Sequence, residues 1–176
     1  MDKFLKILKP KNKKNAFTLL ELIVSIFVIS VGILGAYILY SQIISFSEVS
    51  KARLTAAYLA QEGIEIVRNI RDTNWVINNK GGNRDWNEGL EDGNYEADYN
   101  DYSLSSYSPH DFLGINSNGF FDYLSDSDTR FERKITIENQ GNDILKVIVD
   151  VTWHGKNQFT ITVQENLYNW HQQSQQ

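Results

Sequence analysis

Residues 17–40 read FTLLELIVSIFVISVGILGAYILY, 24 positions with one charge, Glu21. Wound as an α-helix at about 1.5 Å per residue, this run reaches ~36 Å, enough to cross a hydrocarbon layer of about 30 Å. Upstream, residues 1–16 hold six lysines (Lys3, Lys6, Lys9, Lys11, Lys13, Lys14) against Asp2, a net charge of +5. The whole chain has 17 basic and 22 acidic residues, so everything beyond residue 16 carries 11 and 21, a net of −10. A basic head before a spanning run predicts a single pass with the N-terminus in the cytoplasm. The acidic remainder argues against nucleic-acid binding, which needs a basic surface on the folded part. There is no cysteine, so neither a disulfide nor a thiolate metal site is available.

Two ordinary readings of the apolar run fall short. A cleaved secretory signal has an apolar core of about 7–15 residues closed by a small-residue cleavage site. This run is longer, and Ile38–Ser41 offers no such pattern. A plain membrane anchor accounts for the length and the flanking lysines but not for Glu21. A carboxylate at the centre of a spanning helix costs roughly 2.5–3.5 kcal/mol on insertion scales. Nearer the cytoplasmic end the cost is smaller, yet the group still requires a partner.

Asn15-Ala16-Phe17-Thr18-Leu19-Leu20-Glu21 followed by an apolar helix resembles the class III signal of type IV prepilins and pseudopilins. The resemblance implies that prepilin peptidase cuts between Ala16 and Phe17 and methylates the new N-terminus at Phe17. Glu21 then becomes the fifth residue of the mature chain, the family's acidic position. Ala16 departs from the glycine usual there. Cleavage would leave an α-ammonium on Phe17 about one turn from the Glu21 carboxylate. Opposite charges that are costly alone in an apolar layer are tolerable when paired. A pair formed between subunits would penalise wrong registers among otherwise slippery helices. Val31-Gly32-Ile33-Leu34-Gly35 sets two glycines three apart. Small residues let helices approach closely in lipid, so Gly32 and Gly35 are candidate packing positions. Within the family, Ser30–Gly35 most resembles the PilV-type minor pilins, the type IV pilus modification proteins.

No proline interrupts the chain between Tyr40 and Arg71. Val49, Ala52, Ala56, Leu59, Gly63, Ile66 and Ile70 recur at steps of three and four, one face of a helix. The pattern predicts one helix from Phe17 to about Arg71, apolar all round over 17–40 and amphipathic over 41–71. The small residues Ala52, Ala56 and Gly63 suit a sheet packed close on that stripe. Near the C-terminus, Leu145, Val147, Val149, Val151 and Trp153 alternate with mostly polar neighbours, as do Phe159, Ile161, Val163 and Leu167. Both are half-buried strand patterns, with His154-Gly155-Lys156-Asn157 as the turn between them. A third strand from Phe131, with Ile135 and Ile137 on one face, leads to the turn Asn139-Gln140-Gly141-Asn142. The fold class expected is α+β and pilin-like: a long N-terminal helix, its apolar transmembrane half followed by an amphipathic half, packed on a C-terminal antiparallel sheet. Periodicity gives the strands. Their placement as a meander over 131–170 against the helix is implied by the resemblance.

Residues 72–128 are rich in Asp, Asn, Gly and Ser, with ten aromatics from Trp75 to Tyr123. They read as an irregular connection whose aromatics either pack it against the sheet or face a partner. Chemistry is not legible anywhere. His110, His154 and His171 lack metal-ligand spacing. Asp122, Asp126 and Asp128 lack the glycine and terminal glutamate of an EF-hand. Gly81-Gly82 lacks the lysine of a phosphate loop. The expectation is a non-enzyme without cofactor or metal. By the resemblance it is a filament subunit whose partners are other pilin subunits, prepilin peptidase, the inner-membrane pilus assembly machinery and, before assembly, membrane lipid. Its path would run from the cytoplasmic membrane to a cell-surface filament. Alternatives are a pseudopilin of a type II secretion or competence system and a membrane-anchored extracellular binding protein.

Overall fold

The computed structural model describes residues 17–125, 127–155 and 157–170. The leader 1–16, Asp126, Lys156 and His171 lie outside the described residues. Among the described residues one helix, α1, spans Leu19–Asn79 and is followed by seven strands. These are β1 (Gly93–Glu96), β2 (Ser105–Ser106), β3 (Leu113–Ile115), β4 (Phe121–Asp122), β5 (Asp128–Asn139), β6 (Ile144–His154) and β7 (Gln158–Tyr168). The chain divides into two compact units, Met1–Ser47 and Glu48–Gln176.

In the second unit, the part of α1 beyond Glu48 lays a stripe of Ala52, Ala56, Leu59, Ala60, Gly63, Ile64, Ile66, Val67 and Ile70 into the core. Val49, expected at the head of that stripe, is only half-buried. Opposite stand Ile135 and Ile137 of β5 and Leu145, Val147, Val149, Val151 and Trp153 of β6. Burying each such aliphatic side chain contributes about 1.5–3 kcal/mol. Gly63 sets the closeness of the contact. A Cβ there would stand 3.0 Å from Val149 Cγ1 and 3.3 Å from Arg133 Cδ.

The sheet is antiparallel throughout. β5, β6 and β7 form the expected meander, β6 and β7 pairing without a shift from Ile144↔Tyr168 to His154↔Gln158. Gly141, at φ 75°, sits in the β5–β6 turn, where Gln140 N–H donates to Ile144 O at 2.8 Å. Strand β5 begins at Asp128, three residues before the expected Phe131. Its other edge is shared by β1, which pairs near Ile135, and β3, which pairs at Phe131 and Asp128 with a register shift. β2 and β4 extend those two.

Two expectations therefore need correction. The helix passes Arg71 by a further two turns, to Asn79. Asn74 and Trp75 are buried there, and Asn74 Nδ2 donates to Glu88 O at 2.9 Å. The stop comes from Lys80-Gly81-Gly82. Gly81 N–H reaches Asn78 O at 3.0 Å, Gly82 N–H reaches Ile77 O at 3.0 Å, and Gly81 takes φ 89°. This is the left-handed glycine cap that closes a helix and satisfies its last carbonyls. A side chain at Gly82 has no room, because its Cβ would lie 2.8 Å from Ile77 O. The second correction concerns 72–128, which is not one irregular connection. It holds the end of α1 and four short strands that extend the sheet on one side of β5.

Candidate functional site

The first unit is the part of the molecule whose surface is unlike that of a self-sufficient fold. Every residue from Phe17 to Ser47 is exposed, among them Leu20, Phe27, Ile33, Tyr37 and Phe46. Three serines within the run, Ser25, Ser30 and Ser45, donate to carbonyls of their own helix. Ser25 Oγ donates to Glu21 O at 2.7 Å and Ser30 Oγ to Ile26 O at 2.7 Å. That economy suits a helix destined for apolar surroundings, where an unsatisfied hydroxyl is costly. Among the described residues, α1 is the helix long and apolar enough to cross a membrane.

The start of α1 is a cap. Thr18 Oγ1 accepts the Glu21 N–H at 3.2 Å, and Thr18 O accepts the Leu22 N–H at 3.1 Å. Thr18 is thus the residue before the first helical turn and Glu21 the third within it, the spacing of a capping box of which the threonine half is formed. Thr18 is a further functional residue at this end of the helix, beyond Phe17 and Glu21. The Thr-x-x-Glu spacing was the signal that could have found it. Glu21 also lies in the first turn, where the helix dipole favours an acid.

Phe17 is exposed just ahead of that cap, and Ala16 lies outside the described residues. Glu21 is exposed too, on the same unit as Phe17, and any pairing of the two charges awaits the cut that would create the ammonium. Gly32 and Gly35 have open space where a Cβ would go, with nothing within 4 Å. Among the described residues nothing fills the space beside them. The contrast with Gly63, which is filled from its own sheet, is direct.

The other candidates separate cleanly. His154 packs edge-on against Phe112, with centroids 6.3 Å apart, and His110 takes a left-handed φ of 69° in a turn. Asp122 is held by Asn116 Nδ2 at 2.8 Å, while Asp128 opens β5. Of the ten aromatics, Trp86, Tyr95, Phe121 and Tyr123 pack on the core. Tyr102 stays exposed, and the stacked pair Tyr99–Phe120 lies at the surface with centroids 4.7 Å apart.

The structure adds one residue that the pattern reading had left aside. Arg133, on the inner face of β5, is wholly buried. Its guanidinium donates to Leu59 O at 3.1 Å, to Glu62 Oε1 at 2.9 Å and to Ala97 O. It joins helix, sheet and the segment after β1. Its place two residues before Ile135 was visible in the alternation, but a charge there reads as a break in the pattern.

Residues 11–37 match the family model of the prokaryotic N-terminal methylation motif. The match covers Ala16, Phe17, Glu21, Gly32 and Gly35, so the chain carries a prepilin-type signal at the junction of leader and helix. No curated protein and no solved structure matches the chain.

Proposed function

We propose that this protein is a structural subunit of a type IV pilus or a related filament, more specifically a minor pilin. In this reading prepilin peptidase removes residues 1–16 and methylates Phe17. The chain waits in the cytoplasmic membrane as a single pass, and α1 then moves from lipid into a filament on the cell surface. The observation that carries the reading is the coincidence of two things. The methylation motif covers 11–37, and the helix it opens is exposed on every side through Ser47. An apolar helix of this kind has no solvent that suits it except lipid or its own kind.

The roles follow from position. Phe17 is the cleaved and methylated terminus, Glu21 the charge that sets register against a neighbour's terminus, and Gly32 and Gly35 the close-approach positions. The resemblance of Ser30–Gly35 to PilV-type sequences and the absence of cysteine support minor rather than major status. The protein acts by packing and has no catalytic role. Its test is the composition of sheared, purified filaments from the native host. The processed chain is expected there in small amount, and absent when prepilin peptidase is deleted. Recovery of the full-length chain in the membrane alone, with or without the peptidase, would overturn the proposal.

A further inference from the structure

A cleft of about 150 Å³ opens between the last turns of α1, the turn at 84–89 and the tip of the β1–β2 hairpin. Asn69 and Thr73 line it from the helix, Tyr102 and Ser103 from the hairpin, and buried Ile70 gives it an apolar wall. The remaining wall is fixed by Asn74, which is 2% exposed and commits its whole amide. Asn74 Nδ2 donates to Glu88 O at 2.9 Å and to Trp86 O at 3.3 Å, and its Oδ1 accepts from Arg84 Nη1 at 3.3 Å. Gly89, at φ 77°, turns the chain at the edge of that wall. The cleft is therefore formed before anything enters it.

What remains uncommitted selects the ligand. The two charges in the lining satisfy each other, Arg84 Nε meeting Glu88 Oε1 at 3.0 Å, so the cleft offers an ion no counter-charge. Among the described residues the side chains of Asn69, Thr73, Tyr102 and Ser103 have no hydrogen-bond or ion-pair partner. One amide, two aliphatic hydroxyls and a phenol each donate and accept without charge. A wholly apolar ligand would strip water from these groups and leave them unpaired. Drug-sized ligands fill about 300–1,000 Å³, so the space suits a smaller unit. Tyr102 adds a ring that is 84% exposed. An aromatic face is electron-rich and attracts the positive edge of C–H bonds. A neutral molecule with hydroxyls around its rim and C–H bonds on one face is a sugar ring.

We propose that this cleft binds one neutral pyranose unit of a glycan. Tyr102 covers its C–H face, and Asn69, Thr73 and Ser103 take its hydroxyls. Asn69 also lines a neighbouring depression of about 390 Å³ together with Tyr99 and Asp101, which gives the next sugar a place along α1. The binding belongs to the folded second unit and does not depend on the filament reading.

Saturation-transfer NMR tests this on the full chain, held in a detergent that carries no sugar. The ligands are the methyl glycosides of glucose, galactose, mannose and N-acetylglucosamine, with methyl glucuronide as the charged comparison. At least one neutral glycoside is expected to bind at millimolar concentration. Tyr102→Ala, which removes an exposed ring and so leaves the fold intact, should weaken binding about tenfold. Thr73→Val keeps the shape and loses one hydrogen bond, for a loss of about fivefold. Tyr168→Ala removes an exposed ring on β7 and should change nothing. Failure of every neutral glycoside to bind, binding of the glucuronide alone, or wild-type affinity in Tyr102→Ala or Thr73→Val would overturn the proposal.

Discussion

The two parts of α1 obey the same helical geometry and differ in where their partner comes from. From Glu48 onward, small residues and β-branched or aliphatic ones share a stripe, and the chain's own sheet fills it. From Phe17 to Ser47 the apolar residues go all the way round, and every one of them is exposed among the described residues. Gly63 and Gly32 make the difference concrete. A methyl group added at Gly63 would run into Val149, whereas one added at Gly32 would meet empty space. The first glycine is explained by its own sheet, and the second stands in open space. The proposed function assigns the exposed stretch to assembly for this reason.

The contrast can be broken most severely in the second unit. Gly63→Leu forces a branched side chain into the closest helix–sheet contact. Overpacking of this kind costs about 1–3 kcal/mol, occasionally more, and should appear as a lower unfolding midpoint by circular dichroism. Gly32→Leu should leave that midpoint unchanged while reducing recovery in filaments. If both glycines behave alike in the unfolding assay, the division of the helix fails.

Arg133→Met sharpens the same comparison from the buried side. It removes the guanidinium that bridges Leu59 O, Glu62 and Ala97 O. Breaking a buried pair by removing one partner costs about 3–5 kcal/mol. Because Glu62 retains partial exposure, the effect should fall at the lower end, measured by urea unfolding. Glu21→Ala is the counterpart in the exposed half. It should leave the unfolding curve and membrane insertion intact and reduce filament incorporation by at least tenfold.

A smaller effect is expected from pH. Burial, followed by repulsion from Asp101, pushes the Asp98 carboxyl up to about 6 from its ordinary 3.8. Its contribution to stability is therefore full below pH 3.8 and is lost as pH rises through 6. Asp92, held below its ordinary value by the Asn139 backbone and side-chain N–H groups, gives a slope of opposite sign at lower pH. The readable quantity is thus the difference between wild type and Asp98→Asn across pH 4–7, which should narrow as pH falls.

Much of this was legible in the residues. The 3.6-residue stripe named the buried face of α1, and period-two alternation named the inward side chains of β6 correctly from Leu145 to Trp153. Both signals are strong because each residue there has one face and one environment. The reading weakened where contacts replace periodicity. β1 to β4 are two to four residues long and exist because β5 and its neighbours offer a free edge, so Gly93-Asn94-Tyr95-Glu96 shows no strand pattern of its own. The helix outruns its expected end because the Asp/Asn-rich stretch after Arg71 resembles a loop, while the effective stop, Gly81-Gly82, comes two turns later. At the N-terminus the motif exposed Phe17 and Glu21, yet the cap formed by Thr18 emerged only from geometry. Arg133 and Asp98 stayed hidden for a common reason: a buried charge is defined by its surroundings, and those come from distant segments.

Whether the exposed half of α1 is a processed assembly helix is read most directly from the mass of the N-terminal peptide of the membrane-extracted or filament-bound protein from its native host. The account predicts a chain that begins at N-methylated Phe17. A chain that retains Met1 and its lysine-rich leader, or one cut beyond Tyr40, would contradict it.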